Sequence, residues 1–159
     1  MIKKYTCQNG VRIVLENIPT VRSVAIGLWI KAGSAYENET NNGVSHFLEH
    51  MFFKGTKTRN AKEIAEAFDS IGGQVNAFTS KEYTCYYAKV LDNHASYALG
   101  VLGDMFFNSV FDEEELKIFN HKFVRQLPFE KVADRVNVSK EFWEAVKGNL
   151  DTVAEAEKW

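Results

Sequence analysis

Three side chains that could do chemistry sit within five residues of one another. They are His46, Glu49 and His50 in the run Val44-Ser45-His46-Phe47-Leu48-Glu49-His50-Met51. Residues three and four apart share a helix face, so on a helix these three converge while Phe47, Leu48 and Met51 turn away. Two imidazoles one turn apart can hold one tetrahedral zinc ion, and a carboxylate beside them can take a proton from a water the ion activates. The order is H-x-x-E-H, the reverse of the commoner H-E-x-x-H zinc helix. The pentapeptide alone favours zinc modestly over a partly buried helix whose histidines are satisfied by backbone or water. A catalytic zinc also takes a third protein ligand and keeps one position open.

The elements that must position these residues follow from the pattern on either side. Residues 2–17 read as a hairpin, with Gln8-Asn9-Gly10 as the turn and Val11, Ile13 and Leu15 alternating after it. Pro19 and Thr20 break the alternation. Residues 23–32 form a strand with Val24, Ile26, Leu28 and Ile30 on one face and Ala25 and Trp29 on the other. Apolar residues on both faces predict a central strand. A polar loop, 33–42, leads into the histidine helix, which Lys54-Gly55-Thr56 closes.

Asn60 with Glu63 reads as a capping box, Ile64, Ala67, Phe68 and Ile71 as the apolar stripe behind it, and Gly72-Gly73 as its end. Strands 74–79 and 83–91 follow, joined by Ser80-Lys81-Glu82. Asp92 is expected to cap a helix whose apolar side carries Ala95, Leu99, Leu102, Met105 and Phe106. Asp112 with Glu115 reads as another capping box, opening a helix through Leu116, Phe119, Phe123 and Leu127 that Pro128 stops. The sum is an α+β fold: a mixed, largely antiparallel sheet with helices packed on one face, followed by a helical tail.

Bulk properties narrow the function. The chain has 159 residues, 45% hydrophobic and 25% charged, enough for one domain with a core. A formal charge of -2 favours neither nucleic acid nor an anionic membrane. Cys7 and Cys85 lie far apart, outside C-x-x-C spacing, and read as buried reduced thiols. Met1-Ile2-Lys3-Lys4 shows no signal peptide, and no run reaches the length of a membrane span. The expected location is cytoplasmic, with no membrane partner and no nucleic acid.

The segment Gly43-Val44-Ser45-His46-Phe47-Leu48-Glu49-His50-Met51-Phe52-Phe53-Lys54-Gly55-Thr56 resembles the active-site segment of the pitrilysin, insulinase and mitochondrial processing peptidase family. Ile71-Gly72-Gly73-Gln74-Val75-Asn76-Ala77-Phe78-Thr79-Ser80 and Tyr86-Tyr87-Ala88 fit the same family, most closely its bacterial processing-protease branch. The likeness covers residues 2–117, so residues 1–117 are expected to be the N-terminal part of a pitrilysin-type domain. It implies a zinc-dependent endopeptidase, with His46 and His50 as ligands and Glu49 as general base. It also implies that substrate adds as a strand along 74–79, with Asn76, Ala77 and Phe78 lining the cleft. Peptides or unfolded proteins are the implied substrates, and a second family half or subunit the implied partner.

In that family the third zinc ligand is a glutamate on the helix that here starts at Asp112, with a supporting glutamate seven residues earlier. Matching without gaps puts these positions at Gln126 and Phe119, and neither is a carboxylate. Loss of a charged ligand predicts weak or no activity, and leaves a non-catalytic scaffold or partner subunit as the alternative. Beyond residue 117 the likeness changes. Residues 120–130 and 142–150 resemble the C-terminal part of a bacterial glutamyl-tRNA synthetase, which marks 118–159 as a helical tail of different origin. Ser139 is a plausible cap for a helix carrying Phe142, Val146 and Leu150. The tail has 7 basic residues (122, 125, 131, 135, 140, 147, 158) and 7 acidic ones (130, 134, 141, 144, 151, 155, 157), which does not make an RNA-binding stripe.

Overall fold

Asn9 and Gly10 reverse the chain as their types require. Gly10 sits at φ +85, the N–H of Cys7 donates to the Val11 carbonyl at 2.7 Å, and the Val11 N–H donates to Asn9 Oδ1 at 3.2 Å. The turn joins β1 (Ile2–Thr6) to β2 (Arg12–Glu16), which pair antiparallel from Ile2 against Glu16 to Thr6 against Arg12. The computed structural model describes residues 2–39 and 41–111. The helix expected from Asp112, the tail helix and the change of origin near residue 118 lie outside the described residues.

A three-stranded antiparallel sheet carries the rest: β3 (Ser23–Ile30), β4 (Gln74–Thr79) and β5 (Thr84–Leu91), in the order β3-β5-β4. The register puts Leu28 and Ala77 opposite Tyr86, and Ile26 and Val75 opposite Ala88. Strand residues alternate between faces, so Val24, Ile26, Leu28, Ile30, Val75, Ala77, Tyr86, Ala88 and Val90 share one face. Three helices cover it: α1 (Val44–Met51), α2 (Ala61–Asp69) and α3 (Ala95–Phe107). The core sits between, with Ile64, Ala67 and Phe68 of α2 and Ala98, Val101, Leu102 and Met105 of α3 packed on Tyr86, Ala88 and Val90. The predicted α+β class, with helices on one face, is what forms.

Two expectations need correction. β3 is not central among the described residues; β5 is, and β3 pairs on one side only. The apolar residues on its second face explain the error. Trp29 is 65% exposed on the helix-free side, where its ring leans on Phe78 and Tyr83 at centroid distances of 5.9 and 5.1 Å. Among the described residues, aromatic neighbours and not a second helical layer shelter that face. Asp92 does not cap α3 either. It opens a short 3-10 turn, Asp92–His94, and α3 begins at Ala95 with no side-chain cap. The Asp92 carboxylate instead takes a fork of bonds from Arg22, 2.9 Å from Nε and 3.1 Å from Nη2, at the paired ends of β3 and β5.

Helix α2 forms as its ends predict. Asn60 Oδ1 accepts from the Glu63 N–H while the Glu63 carboxylate accepts from the Asn60 N–H. At the other end Gly72 sits at φ +63, its N–H reaching the Asp69 carbonyl and that of Gly73 the Phe68 carbonyl. This bond pair satisfies carbonyls that a helix end otherwise orphans.

Two joints lock the segments flanking α1. Before it, the buried Gly33 lies against the turn between β4 and β5, and Ser34 and Ala35 donate to the Ser80 and Lys81 carbonyls at 3.2 and 2.8 Å. A Cβ on Gly33 would meet Ser80 O at 2.4 Å and Lys81 O at 2.6 Å. After it, Asp104 Oδ2 accepts from Thr56 Oγ1 (2.8 Å), Thr58 Oγ1 (2.8 Å) and Arg59 Nη1 (2.7 Å), while Oδ1 accepts from Asn108 Nδ2 (2.9 Å). Burial by itself would raise the Asp104 carboxyl, but these four donors outweigh it and hold it below the usual carboxylate range.

Two outcomes follow from the joints. Gly33→Ala is expected to destabilise the chain by about 1–3 kcal/mol, the cost of overpacking a filled site; a change under about 0.5 kcal/mol in urea unfolding would show that the turn simply moves aside. The Asp104 contribution has a definite pH sign. A depressed folded pKa gives stability that is complete above the unfolded value of about 4 and is lost as pH falls through the folded value. The stability gap between the native chain and Asp104→Asn should therefore shrink on acidification below about pH 4. A gap constant from pH 7 to pH 2.5 would contradict this.

Candidate metal centre

Helix α1 is positioned by what it buries. Met51 is 0% exposed and Phe47 5%, so one face is fixed in the core and the opposite face is turned out. His46 and His50 occupy the outer face, both exposed, with their Nε2 atoms 3.0 Å apart and ring centroids 4.7 Å apart. Two zinc–nitrogen bonds of about 2.0 Å at a tetrahedral angle span about 3.3 Å. The pair therefore needs to open by only a few tenths of an ångström to take one ion, and two neutral imidazoles are a suitable half of a zinc donor set.

Glu49 lies on the sheet side of the same surface. Its Oε2 accepts a hydrogen bond from Thr79 Oγ1 at the end of β4. Thr79 is in turn near Thr84 Oγ1, at 3.4 Å, and Thr84 donates to the Ala32 carbonyl at 2.9 Å. Burial first, and the Glu49 charge second, push the Tyr86 phenol far above its ordinary range, so it stays a neutral hydroxyl. The sequence pattern placed Glu49 beside the histidines. Its anchor, Thr79, was missed, because a bond spanning thirty residues leaves no local signal.

The remaining site residues fall as follows. Ala77 faces the helices, whereas Asn76 and Phe78 project from the opposite face of β4 and are exposed. Among the described residues β4 pairs only with β5, so its other edge is unpaired. There the Ala77 N–H is taken by Asn76 Oδ1 at 2.8 Å. Gln126 and Phe119 lie outside the described residues. Among the described residues no third His, Cys, Asp or Glu joins the two histidines in a metal-binding group. Cys7 and Cys85 are both buried, and burial pushes the Cys85 thiol up to about 11, which makes it a poor nucleophile. No helix among the described residues is long and apolar enough to cross a membrane.

Known proteins are similar to this chain in sequence and fold. The chain is 79% identical over 117 residues to an uncharacterized zinc protease, YmxG, of Bacillus subtilis (strain 168), a match covering 74% of this chain and 29% of that one. It is 43% identical over 122 residues to a probable mitochondrial-processing peptidase subunit beta of Arabidopsis thaliana, covering 77% of this chain and 23% of the relative. A crystal structure of a protease from Helicobacter pylori superposes with a TM-score of 0.72 at 25% identity, over 76% of this chain and 29% of that one. The chain thus spans less than a third of the length of these relatives. The family model for insulinase (peptidase family M16) matches residues 12–143. The chain belongs to the insulinase family of peptidases, M16.

Proposed function

We propose that this chain is the zinc-site portion of a metalloendopeptidase of the processing-protease type. The observation that carries the reading is the pair of Nε2 atoms 3.0 Å apart on α1, with a carboxylate held one residue away by Thr79. In this reading His46 and His50 are zinc ligands. Zinc, when bound, supplies a Lewis acid that acidifies water and polarises a peptide carbonyl. Glu49 accepts the proton of the attacking water and later returns it to the leaving amine. Thr79 holds that carboxylate at the end of β4.

The substrate is a peptide or unfolded protein, laid along the unpaired edge of β4 by main-chain hydrogen bonds. Asn76 must release the Ala77 N–H for an incoming strand to reach it. Asn76, Ala77 and Phe78 then contact successive substrate residues. The family's enclosing second half, or a second subunit, is the partner. By itself the polypeptide is expected to be a weak or inactive peptidase, because the position that matches the family's charged ligand is Gln126, a neutral amide.

A second reading is a non-catalytic partner subunit that keeps the histidine helix as structure. The two non-carboxylate residues, Gln126 and Phe119, favour it. A tRNA-binding role for 118–159 rests on the tail resemblance alone.

Elemental analysis of the purified chain separates the first two readings. The native chain should carry zinc, His46→Ala should lose it, and Gln126→Glu should raise the zinc content. Equal zinc in the native chain and His46→Ala would remove the histidines from the site. Unchanged zinc in Gln126→Glu would show that this position lies away from them.

A further inference from the structure

Helix α1 begins badly by the usual criteria. The residue before it, Gly43, is left-handed at φ +89 and has no side chain with which to cap. The first N–H groups of a helix have no partner within it. Here the partner comes from six residues upstream. Glu37 Oε2 accepts from the Gly43 N–H at 2.6 Å and Oε1 accepts from the Ser45 N–H at 2.8 Å. The carboxylate thus spans the helix start as a two-pronged cap, and its charge suits the positive end of the helix dipole. Burial would raise the Glu37 carboxyl, but the bonds from Ser45 and Gly43, with His46 close by, outweigh it and keep it ionised.

Glu37 is itself held. Its N–H donates to the Ser34 carbonyl at 3.2 Å, and Ser34 and Ala35 are bonded to the turn between β4 and β5. The buried Asn41 closes the segment, its Oδ1 accepting from the Asn38 N–H at 2.6 Å. A rigid path therefore runs from the sheet through Glu37 to the peptide immediately before His46.

We propose that Glu37 is a positioning residue for the histidine pair, fixing the first turn of α1 so that His46 stays one turn below His50. This rests on the zinc reading of the two histidines. An eight-residue helix has one turn for each imidazole, and a frayed first turn carries His46 away from His50. Both Glu37 oxygens are engaged with backbone, so it acts through Ser45 and Gly43 and is not a ligand.

The test uses the full 159-residue chain, with zinc titrated against a chromophoric chelator and cobalt(II) as a spectroscopic probe. Glu37→Gln keeps the shape but loses one acceptor and the charge. It should weaken zinc binding by about 10-fold, the scale of outer-shell effects on metal sites. It should also speed amide hydrogen exchange at Gly43 and Ser45 and alter the cobalt(II) absorption. Glu37→Asp, which restores the charge on a shorter arm, should recover part of the affinity.

Ala67→Gly in α2 serves as a control that lowers stability away from the site, and should leave zinc affinity unchanged. Native affinity in Glu37→Gln, or an equal loss in Ala67→Gly, overturns the proposal. A native chain that takes up no zinc defeats the metal reading instead. Exchange at Gly43, Ser45 and His46 then decides, and unaltered protection in Glu37→Gln rejects the positioning role.

Discussion

An isolated helix shorter than about 12–15 residues is marginal in water, and the helix that bears the histidines has 8. Everything around it compensates for that shortfall. Phe47 and Met51 anchor one face in the core. Glu37 satisfies the amides at its start, and Asp104 gathers the loop that leaves its end. Glu49 is tied to Thr79 on the neighbouring strand. The helix owes its geometry to these four attachments more than to its own residues, and the spacing of the two imidazoles is their product.

The sheet supplies the common reference for these attachments. The turn between β4 and β5 receives Gly33, Ser34 and Ala35 on one side, and β4 ends at Thr79 on the other. One hairpin therefore sets both the residue that caps the histidine helix and the residue that holds its acid. The same strand has one edge unpaired among the described residues. Placing the acid's anchor, Thr79, and the edge on one strand ties their positions together.

The parts of this arrangement that could be read from sequence are those with a short repeat. The hairpin turn at Asn9-Gly10, the capping box of Asn60 and Glu63, the stop at Gly72-Gly73 and the convergence of His46, Glu49 and His50 all depend on residues within five positions of each other. The turn, the capping box and the stop formed as the pattern implied, and His46 and His50 came together on one face of α1. Strand order did not, because the apolar second face of β3 looks the same whether a helix or an aromatic cluster covers it. Asp92 carried the signature of a cap, yet a guanidinium at Arg22 competes for it from seventy residues away. Glu37, Thr79 and Asp104 were silent for the same reason: their partners are distant in sequence or are backbone groups.

The span of these attachments has a consequence for assembly. Thr79 meets the acid thirty residues from its own position, and Asp104 meets Thr56 forty-eight residues away. Such distant closures cost chain entropy before they return any contact energy. An excised peptide carrying both imidazoles would hold them in no fixed relation, and a nascent chain gains the spacing of the two rings only once α3 has emerged and docked. Formation of the histidine pair is thus coupled to completion of the tertiary structure.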